Sequence, residues 1–152
     1  MNLHLFDTAT GTVKRLAQRE PGKVSIYVCG PTVYDLPHIG HGRMALTYDV
    51  LRRYLEWRGI EVDHVSNITD IEDKIINRAK ERGISTEEIT SQYEASWWDA
   101  IDRLGILRPR VDPHATAFVD RMIDLIQDLL ASGFAYETSD TIYFQPSKVD
   151  GY

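Results

Sequence analysis

Three side chains that lie near one another in the sequence, Cys29, His38 and His41, have the types and spacing to support chemistry. Cys29 ends a short apolar segment, and a thiol at the carboxyl end of a strand can bind a metal ion or act as a nucleophile. His38 and His41 stand in the first turn of a predicted helix, where the backbone favours anions such as phosphate oxygens. Together the three residues predict a nucleotide-using site with a sulfur ligand beside it.

The two histidines leave three interpretations open. They can be surface side chains at a helix start, or an H-x-x-H metal pair joined by Cys29, because three such ligands can bind zinc. In the third interpretation His38 and His41 contact phosphates, while Gly40 and Gly42 let the backbone approach a nucleotide. We favour the phosphate site, since the glycines need an explanation that a metal site does not provide.

The other candidate residues also have ordinary structural explanations. A free cysteine such as Cys29 is commonly just a buried apolar residue. Gly30 can be a turn residue, and Thr69 or Asp70 can cap a helix. The residue types alone therefore do not decide between structural and functional roles at these positions.

The elements that must position these side chains form a predicted βαβ unit. Residues 24–29 are rich in β-branched side chains and predict a strand, residues 40–58 predict a helix, and residues 60–65 predict a second strand. Apolar residues on two faces predict that the helix is largely buried. A strand, a crossover helix and a strand imply a parallel sheet, whose carboxyl edge binds ligands. Cys29 and Thr69 fall near that edge.

Further elements flank this unit and complete a predicted α/β fold. They are a hairpin over 3–6 and 12–16, helices over 71–82, 85–104 and 114–132, and a hairpin over 134–137 and 141–145. The proline-containing segment 108–113 is the predicted domain boundary. We therefore expect one domain over residues 1–112 and the beginning of a second over residues 113–152.

Four motifs, in order, carry a resemblance to a known family. They are YVCGPTVYD at 27–35, HIGH at 38–41, NITDIEDKII at 67–76 and GFAYE at 133–137. This series resembles the cysteinyl-tRNA synthetases, which are class I aminoacyl-tRNA synthetases, and the similarity covers essentially the whole chain. The family's second ATP motif, a Lys-Met-Ser-Lys-Ser-type loop, is absent, as are the remaining zinc ligands and the anticodon-binding region. We therefore expect the chain to be the amino-terminal fragment of a longer enzyme and to be inactive alone.

The resemblance implies a fold and a reaction. The fold is the first half of a Rossmann-like, HUP-type nucleotide-binding domain with a parallel sheet, followed by the start of an inserted connective domain. The parent enzyme is a cysteine–tRNA ligase, which uses ATP with Mg²⁺ to convert L-cysteine to cysteinyl-adenylate and then transfers the cysteine to tRNA(Cys).

The resemblance also implies a role for each candidate residue. Cys29 is one ligand of a zinc ion whose other protein ligands lie beyond Tyr152 and whose open position takes the substrate thiolate. His38 and His41 are catalytic, because they stabilise charge that builds on the ATP phosphates. ATP is bound by His38, Gly40, His41 and Gly42. The substrate cysteine is bound by Gly30, Thr32 and Thr69.

Composition limits the other partners. The net charge of -6 argues against a broad polyphosphate-binding face, so we expect the RNA-contacting surfaces to lie in the missing part. No apolar run approaches the roughly 18 to 20 residues that span a bilayer. A single cysteine and the lack of a signal-peptide layout fit a reducing compartment. We expect a cytoplasmic, monomeric enzyme without a membrane partner.

Two rival functions remain at this point. A related ligase could join activated cysteine to a small amine, as a mycothiol cysteine ligase does, although the segments 32–35 and 67–70 look more like the tRNA synthetase. The chain could also be a nucleotide-binding or cysteine-binding module without turnover. Aminoacylation of tRNA, compared with transfer of cysteine to an amino sugar, separates the two enzymes.

Overall fold

The structure is a computed structural model, and it describes residues 3–152. The strands and helices are, in chain order, β1 (His4–Asp7), β2 (Thr12–Arg15), β3 (Lys23–Val28), α1 (Ile39–Trp57), β4 (Glu61–Ser66), α2 (Asp73–Arg82), α3 (Thr86–Arg103), α4 (Val119–Ala131), β5 (Ala135–Glu137) and β6 (Ile142–Phe144). Short 3-10 turns cover Ala115–Phe118 and Pro146–Lys148. Within the described part of the chain, no helix has the length and apolarity to cross a membrane.

The predicted βαβ unit is confirmed. Strands β3 and β4 pair in parallel, in a register that runs from Lys23 opposite Glu61 to Val28 opposite Ser66. Helix α1 is the crossover and packs against β4. The predicted hairpins are also present, since β1 pairs with β2 and β5 pairs with β6, both antiparallel.

A third extended segment pairs with β4 on its other side. The N–H of Arg110 donates to the carbonyl of His64 at 2.8 Å, and the N–H of Ser66 donates to the carbonyl of Val111 at 3.1 Å. Farther along, the N–H of Ala115 donates to the carbonyl of Ile68 at 3.0 Å. The predicted boundary after residue 112 crosses this paired segment, and the boundary itself stays a prediction.

The core is formed by helices α2 and α3 and by the loops after β3, β4 and α3, with Met44 and Ala45 of α1 packed against it. Its buried cluster consists of Val33, Ile68, Ile75, Ala79, Ile89, Tyr93, Trp97, Ile101 and Ile106. Four of these residues form an apolar stripe on α3. This helix begins at a capping box in which Ser85 Oγ accepts from the N–H of Glu88 at 3.1 Å. The helix predicted over residues 85–104 is therefore confirmed as α3, which is capped at Ser85 and buried along one side.

The prediction that α1 is largely buried is wrong. Only Asp49 and Leu55 are buried, and Trp57 on the second apolar face is 78% exposed. Apolar residues on two faces permit burial on both sides, but in residues 3–152 neighbouring elements cover mainly one side of α1.

Two predicted helix starts are also displaced. The helix expected from residue 71 begins at Asp73, because Glu72 keeps an extended backbone. The helix expected from residue 114 begins as a 3-10 turn, and α4 starts only at Val119. Thr116 in that turn donates its N–H and its hydroxyl to the carboxylate of Asp70, which ties the turn to the end of β4.

Candidate functional site

Two loops meet at the carboxyl edge of the parallel strands. We call residues 29–38, after β3, the cysteine loop, and residues 67–72, after β4, the threonine loop. The N–H of Val33 donates to the carbonyl of Thr69 at 3.1 Å, and the N–H of Thr69 donates to the carbonyl of Pro31 at 3.0 Å. Thr32 therefore lies beside Thr69 in a continuation of the parallel pairing. Thr32 and Thr69, which the family resemblance assigns to cysteine binding, are therefore neighbours.

Asn67 is the side chain that links the two loops. Its Oδ1 accepts from the N–H of Gly30 at 2.9 Å and from the hydroxyl of Tyr27 at 3.0 Å. Its Nδ2 donates to Thr69 Oγ1 at 3.0 Å. Sequence reasoning gave Asn67 no role of its own. The parallel register could have pointed to it, because pairing of Val28 with Ser66 places the next residues of both strands side by side.

Gly30 is required by the close approach of the two loops. A Cβ atom at this position would lie 1.5 Å from the carbonyl oxygen of Asn67 and 2.7 Å from its carbonyl carbon. No side chain fits there without separation of the loops, because the obstacle is backbone. The glycine therefore sets how near the end of β3 comes to the threonine loop.

The Cys29 thiol is exposed, and its Sγ lies 3.8 Å from the carbonyl oxygen of Gly30. Across residues 3–152, no group of three histidine, cysteine or acidic side chains is arranged to hold a metal ion. The alternative in which Cys29 joins His38 and His41 in a metal site is therefore wrong. One exposed thiolate supplies a single ligand and does not by itself fit zinc, which takes three or four protein ligands.

His38 and His41 cap helix α1 reciprocally. His38 precedes the helix with φ of -113° and ψ of 173°, and its Nδ1 accepts from the N–H of Gly40 at 3.1 Å. His41 Nδ1 accepts from the N–H of His38 at 3.2 Å, and the two rings stack with their centroids 3.9 Å apart. Because both Nδ1 atoms accept, each neutral ring carries its proton on Nε2. The pair keeps two N–H donors for a ligand at the helix start.

The surroundings of His41 favour its neutral form. Burial lowers the pKa of His41, and the neighbouring His38 lowers it further. The rings of His41 and Trp97 form a T-shaped contact, with 6.2 Å between their centroids. Protonation of Nδ1 would break the hydrogen bond from the His38 N–H, so a neutral ring and an intact helix cap go together.

Packing explains one of the two glycines at the helix start. A Cβ atom on Gly40 would lie 2.9 Å from Cε1 and 3.0 Å from Nδ1 of His38, so a side chain would disturb the stacked ring. A Cβ atom on Gly42 would lie 3.4 Å from Leu104 Cδ1, which is close to ordinary contact. The helix cap thus explains why residue 40 is a glycine without the need for a bound nucleotide. At residue 42, packing excludes a side chain less strictly.

The cysteine loop runs from Gly30 and Thr32, beside the threonine loop, to His38 at the start of α1. Contacts hold it at two further points. Val33 is buried in the same core cluster as Ile68 and Trp97. Farther along, Asp35 Oδ2 lies 2.5 Å from Arg78 Nη2 on α2. Sequence reasoning missed this ion pair, since nothing local links the two positions. Both halves of the candidate site therefore rest on one core.

Comparisons with known proteins agree with this architecture. Residues 15–152 match the model of the family described as tRNA synthetases class I (C) catalytic domain. The solved methionyl-tRNA synthetase of Mycobacterium tuberculosis, in complex with methionyl-adenylate, superposes with a TM-score of 0.61 over 74% of this chain and 23% of that chain, at 20% identity. This likeness shows a shared fold, namely the α/β fold of a class I synthetase catalytic domain.

Curated relatives are more similar in sequence. The chain is 45% identical over 152 residues to a cysteine–tRNA ligase of Syntrophobacter fumaroxidans and 45% identical over 151 residues to one of Solidesulfovibrio magneticus. It is 43% identical over 150 residues to a cysteine–tRNA ligase of Clostridioides difficile. These alignments cover 99–100% of this chain and 31–32% of each relative, so the chain spans about a third of their length. The chain belongs to the family of class I (C) tRNA synthetase catalytic domains.

Proposed function

We propose that the protein containing this chain is a cysteine–tRNA ligase, which activates L-cysteine with ATP and transfers it to tRNA(Cys). The observation that carries the proposal is the capped start of α1, where two stacked histidines accept helix-cap hydrogen bonds at Nδ1 and leave both Nε2 atoms open to a ligand beside the two hydrogen-bonded loops. Family membership and the relatives' names agree with it. The proposal includes the first half of a Rossmann-like domain over residues 1–112, the start of a connective insertion over residues 113–152, and a cytoplasmic monomer.

The proposed chemistry is an in-line displacement at the α-phosphorus of ATP. A carboxylate oxygen of cysteine forms the new bond to phosphorus while the bond to the bridging oxygen breaks and pyrophosphate leaves. His38 and His41 donate from Nε2 to phosphate oxygens, and the amino terminus of α1 adds its dipole where negative charge builds. Catalysis then comes from positioning and electrostatics, without a covalent enzyme intermediate. A terminal hydroxyl of the tRNA takes the cysteinyl group, and AMP leaves.

In the same proposal Gly30, Thr32 and Thr69 bind the substrate cysteine. The hydrogen bonds between the two loops support this assignment, since they fix the positions of all three residues. A zinc ion in the complete site would favour a thiolate over a hydroxyl, and Cys29 is the residue of this chain that would hold it. Because the described residues add no further ligand, no step is assigned to the metal here.

The test uses the natural protein at its full length. Cysteine-dependent exchange of pyrophosphate into ATP, together with cysteinylation of tRNA(Cys), is the expected activity, whereas transfer to an amino sugar instead of tRNA would favour the small-amine ligase. His41→Asn should lower kcat by roughly 10²- to 10³-fold and leave the KM for ATP nearly unchanged, because the contact acts on the transition state.

A matched control separates this role from helix capping. His4→Asn changes an exposed histidine on β1 and should leave both exchange and melting temperature unchanged. If His41→Asn lowers the melting temperature while kcat stays near normal, the histidine is only a cap and its catalytic role is wrong.

A further inference from the structure

The orientation of the Asn67 amide is fixed by a backbone donor. An N–H can only donate, so the Asn67 atom that lies 2.9 Å from the Gly30 nitrogen must be the carbonyl oxygen. The Tyr27 hydroxyl, at 3.0 Å from the same oxygen, must then donate to it as well. This leaves the amide nitrogen, which only donates, facing the Thr69 hydroxyl oxygen at 3.0 Å. The usual ambiguity between amide oxygen and nitrogen does not arise here.

This orientation determines what the Thr69 hydroxyl can do. A hydroxyl has one proton and two acceptor lone pairs, and the Asn67 amide occupies one of the lone pairs. The proton cannot point at Asn67, because two donors would then face each other. The proton and the second lone pair of Thr69 are therefore both directed away from Asn67. Asn67 thus holds Thr69 Oγ1 in place and determines the directions in which the hydroxyl can donate and accept hydrogen bonds.

The Asn67 side chain also fixes the position of Gly30 on the cysteine loop. Asn67 Oδ1 holds the backbone N–H of Gly30, whose α-carbon lies against the Asn67 carbonyl with no room for a side chain. One residue thus fixes Gly30 on the cysteine loop and Thr69 on the threonine loop at the same time. Tyr27 restrains the shared oxygen from the strand that precedes the cysteine loop.

We infer that Asn67 is a positioning residue for amino-acid binding, acting through the Thr69 hydroxyl and not by direct contact with the substrate. The inference rests on the proposed function, in which Gly30 and Thr69 bind the amino acid. Changes at Asn67 should alter the apparent affinity for cysteine, with the KM for ATP unchanged, because the histidine cap that serves ATP is a separate set of hydrogen bonds.

The test is a double-mutant cycle in the full-length protein, with KM for cysteine and for ATP measured by pyrophosphate exchange. Asn67→Asp keeps the oxygen that accepts from Gly30 and Tyr27 but replaces the amide donor with an acceptor, so the Thr69 proton turns toward residue 67. Thr69→Val removes the hydroxyl and keeps the shape. A coupling of the size found between contacting residues corresponds to roughly 2- to 150-fold in an equilibrium constant.

We expect the change in the KM for cysteine caused by Asn67→Asp to be about fivefold or more larger when Thr69 is present than when Val replaces it. The new negative charge acts in both backgrounds, so the cycle removes its direct effect on the substrate. Asn77→Asp on α2 and Thr47→Val on α1 are matched controls that should leave both KM values unchanged. Melting temperatures of all variants show whether the fold survives.

The outcomes distinguish this inference from the proposed function. Equal changes in the two backgrounds, or no change in either, would overturn the positioning role while cysteine-dependent exchange by the unaltered protein upholds the function. A parallel rise in the KM for ATP would mean that the substitution disturbs the whole site, which also contradicts the inference. Absence of cysteine-dependent exchange in the unaltered protein would overturn both.

Discussion

Helices α3 and α4 are both amphipathic, but they have very different surroundings. In α3 the apolar stripe is buried, with Ile89, Tyr93, Trp97 and Ile101 inside the core. In α4 and the residue before it, the apolar stripe over residues 118–129 contains no buried residue, and Leu125 is 59% exposed. The difference extends to the flanking segments, since every buried hydrophobic residue in the described range 3–152 lies at or before Ile106.

The contrast follows from what each helix touches. Helix α3 packs against α2 and contacts α1, so three elements share one core. Helix α4 contacts the 3-10 turn before it and strand β5 after it, and neither is large enough to cover its apolar face. An amphipathic pattern therefore identifies the side of a helix that is suited to burial, whereas burial itself depends on the presence of a partner.

The largest predicted effect tests the same contrast between buried and exposed apolar side chains. It compares a Leu→Ala substitution at a buried position on α1 with one at an exposed position on α4. Leu55→Ala on α1 removes a side chain that is 0% exposed, and we expect it to lower the free energy of unfolding by about 2 to 5 kcal/mol. Leu125→Ala on α4 should change that free energy by about 0.5 kcal/mol or less, because most of the side chain is already in water. Urea denaturation of both variants measures the difference, and equal losses would mean that α4 is covered in solution.

The parts of the fold that depend on local sequence were predictable. Period-3.6 and β-branched patterns, together with Gly59 and Gly83 in positive-φ positions after their helices, placed α1, α2, α3, β3 and β4. Burial of the second face of α1 was not predictable, since the pattern does not say whether a neighbour exists. The late start of α4 was missed because the ties from Thr116 to Asp70 are tertiary.

The candidate site divides in the same way. The parallel register alone brings the ends of β3 and β4 together, so the neighbourhood of Cys29 and Thr69 could be predicted. The same register also points to Asn67 as a residue at this edge. Its hydrogen bonds to Gly30 and Thr69 could not be predicted, because they depend on the contact between Gly30 and the threonine loop at atomic distance. The suggested metal triad failed because Cys29 and the two histidines are not brought together, and no other three such side chains in residues 3–152 are arranged to hold a metal ion.

An intermediate effect is expected from His64 in the buried part of the chain. Its side chain lies on β4, is only 8% exposed, and neither ring nitrogen has a hydrogen-bond partner among residues 3–152. Burial lowers the pKa of His64, Arg52 lowers it further and Asp49 opposes the shift. The folded state thus binds the proton less well than the unfolded chain, so stability should fall as the pH drops below about 6.5.

Replacement of this histidine sharpens the comparison. His64→Leu removes the unpartnered nitrogens and should raise the free energy of unfolding by about 1 kcal/mol or more near neutral pH, with a larger gain at pH 5. Urea denaturation between pH 5 and pH 8 gives both values, and His4→Leu on exposed β1 is the control. A variant that is less stable than the unaltered protein at every pH would show that the imidazole contributes packing that leucine cannot replace.

The smallest expected effect on stability comes from His114, which lies between the buried core and the exposed residues around α4. His114 Nε2 is 3.0 Å from Glu94 Oε2 on α3, and this hydrogen bond raises the pKa of His114 despite partial burial, with Asp70 and Asp112 adding to the rise. A raised pKa means that the stabilisation is complete below about pH 6.5 and is lost as the pH rises through the folded-state value. Because the side chain is about a third exposed, the contribution should stay below about 1 kcal/mol.

Amide hydrogen exchange can localise this effect. As the pH rises from 6 to 8, the N–H of Ala115, which donates to the carbonyl of Ile68, should lose protection after correction for intrinsic exchange, while amides of α3 should not. His114→Gln should abolish the pH dependence, whereas Glu94→Gln should reduce it, because Asp70 and Asp112 still act on His114. If the protection of α3 falls together with that of Ala115, the ion pair stabilises the core as a whole. The residues after Ile106 would then be coupled to the core more strongly than their exposure indicates.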